Sequence, residues 1–137
     1  MIGLLIITHC ELARELREAA EFILGSIEAA ECVSIDTSKS SKVLRDLIEE
    51  KIQSLDQGKG VLILTDMFGG TPSNLALSFL QKEAVEVVTG VNLPMVIAVA
   101  HNREKHSLAQ IADIAKNAGC RSISLASELL KPTEEKK

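Results

Sequence analysis

Two unbroken apolar runs constrain this chain more than any other feature: Ile2 to Ile7 near its start and Val61 to Leu64 near its middle. Neither alternates apolar with polar residues. Each therefore predicts a strand buried on both faces, as in a parallel sheet covered by helices on both sides. Between and beyond them the period changes. Leu12, Leu16, Ala19, Ala20 and Ile23 predict one helical face, closed by Gly25. Cys32 to Ile35 reads as a short strand, and Ser38 to Ser41 offer capping hydroxyls to a helix using Val43, Leu44, Leu47, Ile48 and Ile52. Further along come a helix from about Ser73 to Leu80, a strand from Val85 to Thr89 and a helix from Pro94 through Ala100. A last helix over Leu108, Ile111, Ala112 and Ala115 is expected to stop at Gly119, with a short strand from Ser122 to Leu125.

This alternation of strand and helix argues an α/β fold: a three-layer sandwich with a mainly parallel central sheet and right-handed crossovers. A length of 137 residues fits one domain, expected over 1–130, with residues 131–137 as a disordered tail.

Composition excludes several function classes. Aromatics are 2% of the chain, with no Trp or Tyr, so the core is aliphatic and surfaces for stacking on bases are few. Fifteen basic residues against nineteen acidic give a net charge of −4 with no basic stripe, which disfavours nucleic-acid binding. Cys10, Cys32 and Cys120 are odd in number and widely spaced. They predict neither a disulfide framework nor a zinc site, no metal or cofactor is expected, and a reducing cytoplasm is the natural compartment. Cys32 and Cys120 border apolar segments and are expected to be buried. The run over 2–7 is too short for a signal-peptide core or a membrane span, so no direct membrane insertion is expected.

In open parallel sheets, ligands bind beyond the carboxyl ends of the strands, where the strand order reverses. Thr8-His9 follows the first run directly, and Asp66 follows the second, after Thr65. If those strands are neighbours, the two side chains lie side by side. A carboxylate bonded to one imidazole nitrogen fixes the tautomer and leaves the other nitrogen free as a nucleophile. It also stabilises the positive charge that grows as the free nitrogen attacks phosphorus, in a transfer governed mostly by positioning and electrostatics. The helix start near Glu11 and the Gly69-Gly70 turn can both aim backbone N–H groups at phosphate oxygens. Each signal alone is also what an ordinary structural residue leaves. His9 could be a satisfied strand-end histidine, Asp66 a turn cap, and Gly69-Gly70-Thr71-Pro72 a tight turn into a helix.

Three segments in order, Thr8-His9, then Asp66-Met67-Phe68-Gly69-Gly70-Thr71-Pro72-Ser73-Asn74, then Gly90-Val91-Asn92-Leu93-Pro94-Met95, resemble the mannose-family enzyme IIA of the bacterial sugar phosphotransferase system. The resemblance implies that His9 accepts a phosphoryl group from the histidine phosphocarrier protein and passes it to an enzyme IIB. It implies that Asp66 orients the imidazole, and that Thr71 and the backbone of Met67 hold the phosphoryl group, beside the Gly69-Gly70 turn already read as phosphate-binding. Phe68 stands where some relatives carry Trp, an exposed apolar surface suited to partner docking. A homodimer is also implied, exchanging an edge strand near the C-terminus, which places Arg121 to Leu125 against the other subunit. One departure is Cys10, where the family usually has Gly after its active histidine. No enzyme IIB segment follows in the sequence, so that partner is expected to be a separate protein.

Other readings fare worse. A receiver domain phosphorylated on Asp66 needs an acidic cluster after the first strand, and Thr8-His9-Cys10-Glu11 holds one carboxylate. No Gly-x-Ser-x-Gly elbow or phosphate-binding P-loop supports a hydrolase or nucleotide enzyme. Two alternatives share the same site: a regulatory phospho-accepting sensor and the phosphoryl donor subunit of a dihydroxyacetone kinase. The Gly90 to Met95 run favours the mannose type over the latter. His101, Arg103, Lys105 and His106 read as a solvated loop.

Overall fold

The computed structural model describes residues 1–131; the expected tail thus lies outside the described residues except for Lys131. Its elements run β1 (Gly3–His9), α1 (Leu12–Leu24), β2 (Ala30–Ile35), α2 (Ser41–Leu55) and β3 (Val61–Thr65), followed by α3 (Thr71–Leu77) and β4 (Val85–Thr89). Three helices complete it: α4 (Leu93–Asn102), α5 (Leu108–Arg121) and α6 (Ala126–Leu129). The strands lie in the order β2-β1-β3-β4 with every pairing parallel. The chain therefore leaves β1 toward one edge and, after β3, continues toward the other. The strand order reverses between β1 and β3, where His9 and Asp66 emerge.

Both apolar runs are buried on both faces, as their patterns predict. Leu4, Ile6, Leu62 and Leu64 pack beneath α1, α4 and α5. Leu5, Ile7, Val61 and Ile63 face α2 and α3 on the other side. These are the three layers of the α/β sandwich. Thr65 ends β3 fully buried, and its hydroxyl has no hydrogen-bond partner among the described residues.

Several local expectations need correction. The face that α1 buries is Ala13 and Ala20 with Leu16 half-buried, while Leu12 and Ile23 are exposed. The rotation is set at the helix start: the Ala13 N–H donates to Thr8 Oγ1 at 2.7 Å, and that hydroxyl is itself buried. Small residues then let α1 approach β2 and α4 closely. Gly119 does not end α5, which continues to Arg121. It is a buried helical residue at the crossing with α4, where an added Cβ would stand 2.7 Å from Met95 Cε.

Ser122 to Leu125 forms no strand in the single chain; a short helix, α6, follows. Cys120 is exposed and Cys32 only half-buried, its thiol 3.5 Å from the Ala13 carbonyl.

Nor are residues 101–106 a solvated loop throughout. His101 lies in the last turn of α4, and Arg103 is only 3% exposed. The Arg103 guanidinium donates to the carbonyls of Ile2 at 3.2 Å, Ala29 at 2.8 Å and Glu28, tying together the starts of β1 and β2. Burial lowers its pKa from the ordinary arginine value, opposed by the nearby charges of Glu104 and Glu28.

Candidate active site

His9 is the last residue of β1 and the first with an exposed side chain after six buried ones. Parallel pairing of Ile7 with Thr65 puts Asp66 at the same level on the neighbouring strand end. The two residues meet through a double contact. The His9 backbone N–H donates to Asp66 Oδ2 at 2.9 Å, and ring Nδ1 lies 2.8 Å from the same oxygen. An ionised carboxylate only accepts hydrogen bonds, so Nδ1 carries the proton and Nε2 keeps its lone pair. The other carboxylate oxygen, Oδ1, accepts the Met67 N–H at 3.0 Å.

This arrangement keeps Asp66 ionised. Partial burial pushes its pKa up, but the backbone and ring hydrogen bonds from His9, with the charge of His9, bring it below the ordinary carboxylate value. The Asp66 side chain is 13% exposed and that of His9 is 47% exposed. A shielded carboxylate thus orients a ring whose reactive edge faces solvent.

Loop residues frame that edge. Gly69 adopts φ = +91°, and its N–H donates to the buried Ser73 hydroxyl at 2.9 Å, which in turn donates to the Gly70 carbonyl at 3.0 Å. Gly70 follows in extended conformation and begins α3. A Cβ there would sit 2.8 Å from His9 Cε1 and 3.3 Å from Nε2, so only glycine lets the loop close on the ring. Thr71 is exposed at the first position of α3, with Pro72 next to it. Met67 and Phe68 are 55% and 71% exposed at the crest of the same loop.

On the other side of His9, Thr8 Oγ1 donates to the His9 carbonyl at 3.1 Å while holding the start of α1. The Cys10 N–H donates to the Ile35 carbonyl at 2.9 Å, and Cys10 takes φ = +51°. That left-handed conformation is one glycine adopts freely and other residues at a cost.

The structure therefore brings together His9, Asp66, Met67, Gly69 and Gly70, with Thr71 and Phe68 on the adjoining surface. The Met67 amide is committed to Asp66. Thr8 and Ser73, not expected as site residues, are buried hydroxyls that fix backbone around His9. A hydroxyl beside an expected reactive residue, within an apolar stretch, was the available signal. The Gly90 to Met95 segment supports the site from behind. The Val91 N–H donates to the Thr65 carbonyl at 2.9 Å, and Asn92 caps α4 through the Met95 N–H while its amide reaches the Gly119 carbonyl. Among the described residues no cluster of three His, Cys, Asp or Glu side chains is placed to hold a metal, and no helix is long and apolar enough to cross a membrane.

The family described as the PTS system fructose IIA component (EIIA-man) matches residues 3–116. The chain is 32% identical over 111 residues to the sorbose-specific EIIA component of Lacticaseibacillus casei, covering 79% of this chain and 78% of that protein. It is 34% identical over 104 residues to the mannose-specific EIIAB component of Escherichia coli, covering 75% of this chain and 32% of the relative, so it spans about a third of that protein's length. The phosphotransferase system component EIIA from Streptococcus agalactiae shares the fold, with a TM-score of 0.85 at 23% identity over 93% of this chain and 99% of that one. On the strength of the family match and these identities, the chain belongs to the EIIA-man family of the sugar phosphotransferase system.

Proposed function

We propose that the chain is the phosphoryl carrier of a sugar phosphotransferase system of the mannose, fructose or sorbose type. His9 Nε2 attacks the phosphorus of a phosphohistidine on the histidine phosphocarrier protein. The N–P bond of the donor breaks as the new one forms, and the resulting phosphohistidine is passed to a separate enzyme IIB. Asp66 holds the Nδ1 proton and offsets the positive charge that builds on the ring. The carboxylate is already in place, so little reorganisation is needed at the moment of transfer. Gly70 and Thr71 border the phosphoryl group and Phe68 serves partner docking, whereas the Met67 and Gly69 N–H groups are already donated to Asp66 and Ser73 and shape the loop instead of holding phosphate.

The observation that carries this reading is the Nδ1–Asp66 contact at 2.8 Å beside an exposed reactive ring edge. An exposed site suits delivery between proteins, since both donor and acceptor must bring a phosphorylated side chain to it. Exposed Met67 and Phe68, on the loop that closes on the ring, supply apolar surface for such docking. The sugar-transport names of the relatives favour transport over a regulatory sensor or a dihydroxyacetone kinase subunit.

The same reading takes residues 1–130 as one cytoplasmic domain acting as a homodimer. Ile123 and Leu125 are 78% and 64% exposed in the single chain, and β4 is a sheet edge. Pairing Arg121 to Leu125 with a partner's edge would cover both.

The test is transfer from purified phosphorylated histidine phosphocarrier protein. Stoichiometric acid-labile, base-stable phosphate on the wild type, passed on when an enzyme IIB is added, is the expected outcome. A wild type that accepts no phosphate would remove the proposal.

A further inference from the structure

The pole of the sheet opposite His9 carries a second feature that phosphoryl transfer does not use. A cleft of about 560 Å³ lies at the amino ends of the strands, lined by Met1, Lys59, Arg103, Glu104, Lys105, His106 and Ser107. It is separated from His9 by the length of β1, roughly 20 Å for seven residues of strand. Three cationic side chains, Lys59, Arg103 and Lys105, line it against one carboxylate, Glu104, in a chain whose net charge is −4.

One of those cations is built into the fold. Arg103 is 3% exposed and spends three of its N–H groups on carbonyls, leaving two of the five donors that a guanidinium offers. Among the described residues, no carboxylate lies within ion-pair distance of it. Carbonyl dipoles solvate the charge without neutralising it, and Glu28 and Glu104 offset it only from beyond ion-pair distance, so the site still favours an anion. Lys59 and Lys105 rise on two separate turns at the rim, both exposed. Ser107 caps α5, so the positive end of a helix of fourteen residues adds to the same field. A guanidinium floor, an ammonium rim and a concave shape together suit a compact, multiply charged anion.

We propose that this cleft binds a small phosphorylated metabolite, with its phosphate held over Arg103 between Lys59 and Lys105. The concavity favours a free small molecule over a flat lipid surface, although a lipid headgroup offers the same chemistry. Binding is independent of the state of His9.

Calorimetric titration of the full chain with inorganic pyrophosphate, at constant ionic strength, tests it. Saturable binding is expected, with a rise in Tm that follows occupancy. Lys59→Ala combined with Lys105→Ala should weaken binding at least tenfold. Glu104→Gln should tighten it severalfold by removing the opposing charge. Arg103 is left intact in these variants, so the fold is retained, and His9→Ala should bind as the wild type does. Absence of saturable binding would overturn the proposal. Binding lost in His9→Ala yet kept in the double lysine variant would also overturn it, because the anion would then sit at the transfer site. Association with phosphatidylglycerol vesicles without pyrophosphate binding would assign the cations to a membrane surface and equally refute it.

Discussion

The two poles of the sheet treat a basic side chain in opposite ways. At the carboxyl pole, His9 has one nitrogen anchored on Asp66 and the rest of its ring open to solvent. At the amino pole, Arg103 is buried and bonded to the carbonyls of Ile2, Glu28 and Ala29. The first arrangement leaves a nucleophile free and contributes little to holding the fold. The second commits most of a guanidinium to backbone and leaves no nucleophile at all. Reactivity and stability are therefore separable here, each at its own end of β1.

The sharpest way to break that comparison is His9→Ala. It should abolish phosphate acceptance completely while shifting the urea midpoint little, because the ring is half exposed and the backbone N–H of residue 9 still bonds Asp66. A large loss of stability would show that His9 also holds the fold. Arg103→Met should do the reverse. It strands three carbonyls and should cost about 3 kcal/mol in urea unfolding, with phosphate acceptance at saturating donor intact in the folded protein.

Asp66→Asn tests the anchor. It should slow transfer roughly 100-fold through loss of the fixed tautomer and of charge stabilisation, with the fold retained. A pH series adds a signed check. The Asp66 pKa is lowered on folding, so its stabilising contribution is complete above the unfolded value of about 3.8 and is lost as pH falls through the folded value. The stability gap between wild type and Asp66→Asn should therefore close only in strong acid; a gap closing near neutrality would contradict an ionised Asp66. Cys10→Gly is the smallest effect. It should raise stability by about 1 kcal/mol by relieving the left-handed backbone, measured by chemical unfolding.

The sheet and the His9–Asp66 pair were legible because continuous apolar runs end directly in polar residues, and in a parallel sheet neighbouring strand ends share one edge. What stayed hidden depends on close packing between elements. Helix α1 carries two apolar stripes, and the choice of Ala13 and Ala20 over Leu12 and Ile23 is made by the Thr8 hydroxyl at its start. Gly119 reads as a stop signal but is a contact glycine, a difference fixed by Met95 from another helix. Arg103 sits among polar residues in the sequence, and only the assembled sheet starts present the carbonyls that bury it. Ser122 to Leu125 has a strand's composition yet pairs with neither edge strand, β2 nor β4, of its own chain.

The most direct test of the account is the site of phosphate attachment, read from nitrogen and phosphorus NMR of the phosphorylated chain. With Nδ1 held by Asp66, the phosphorus should couple to His9 Nε2 alone. Phosphate on Nδ1, or on any residue other than His9, would contradict it.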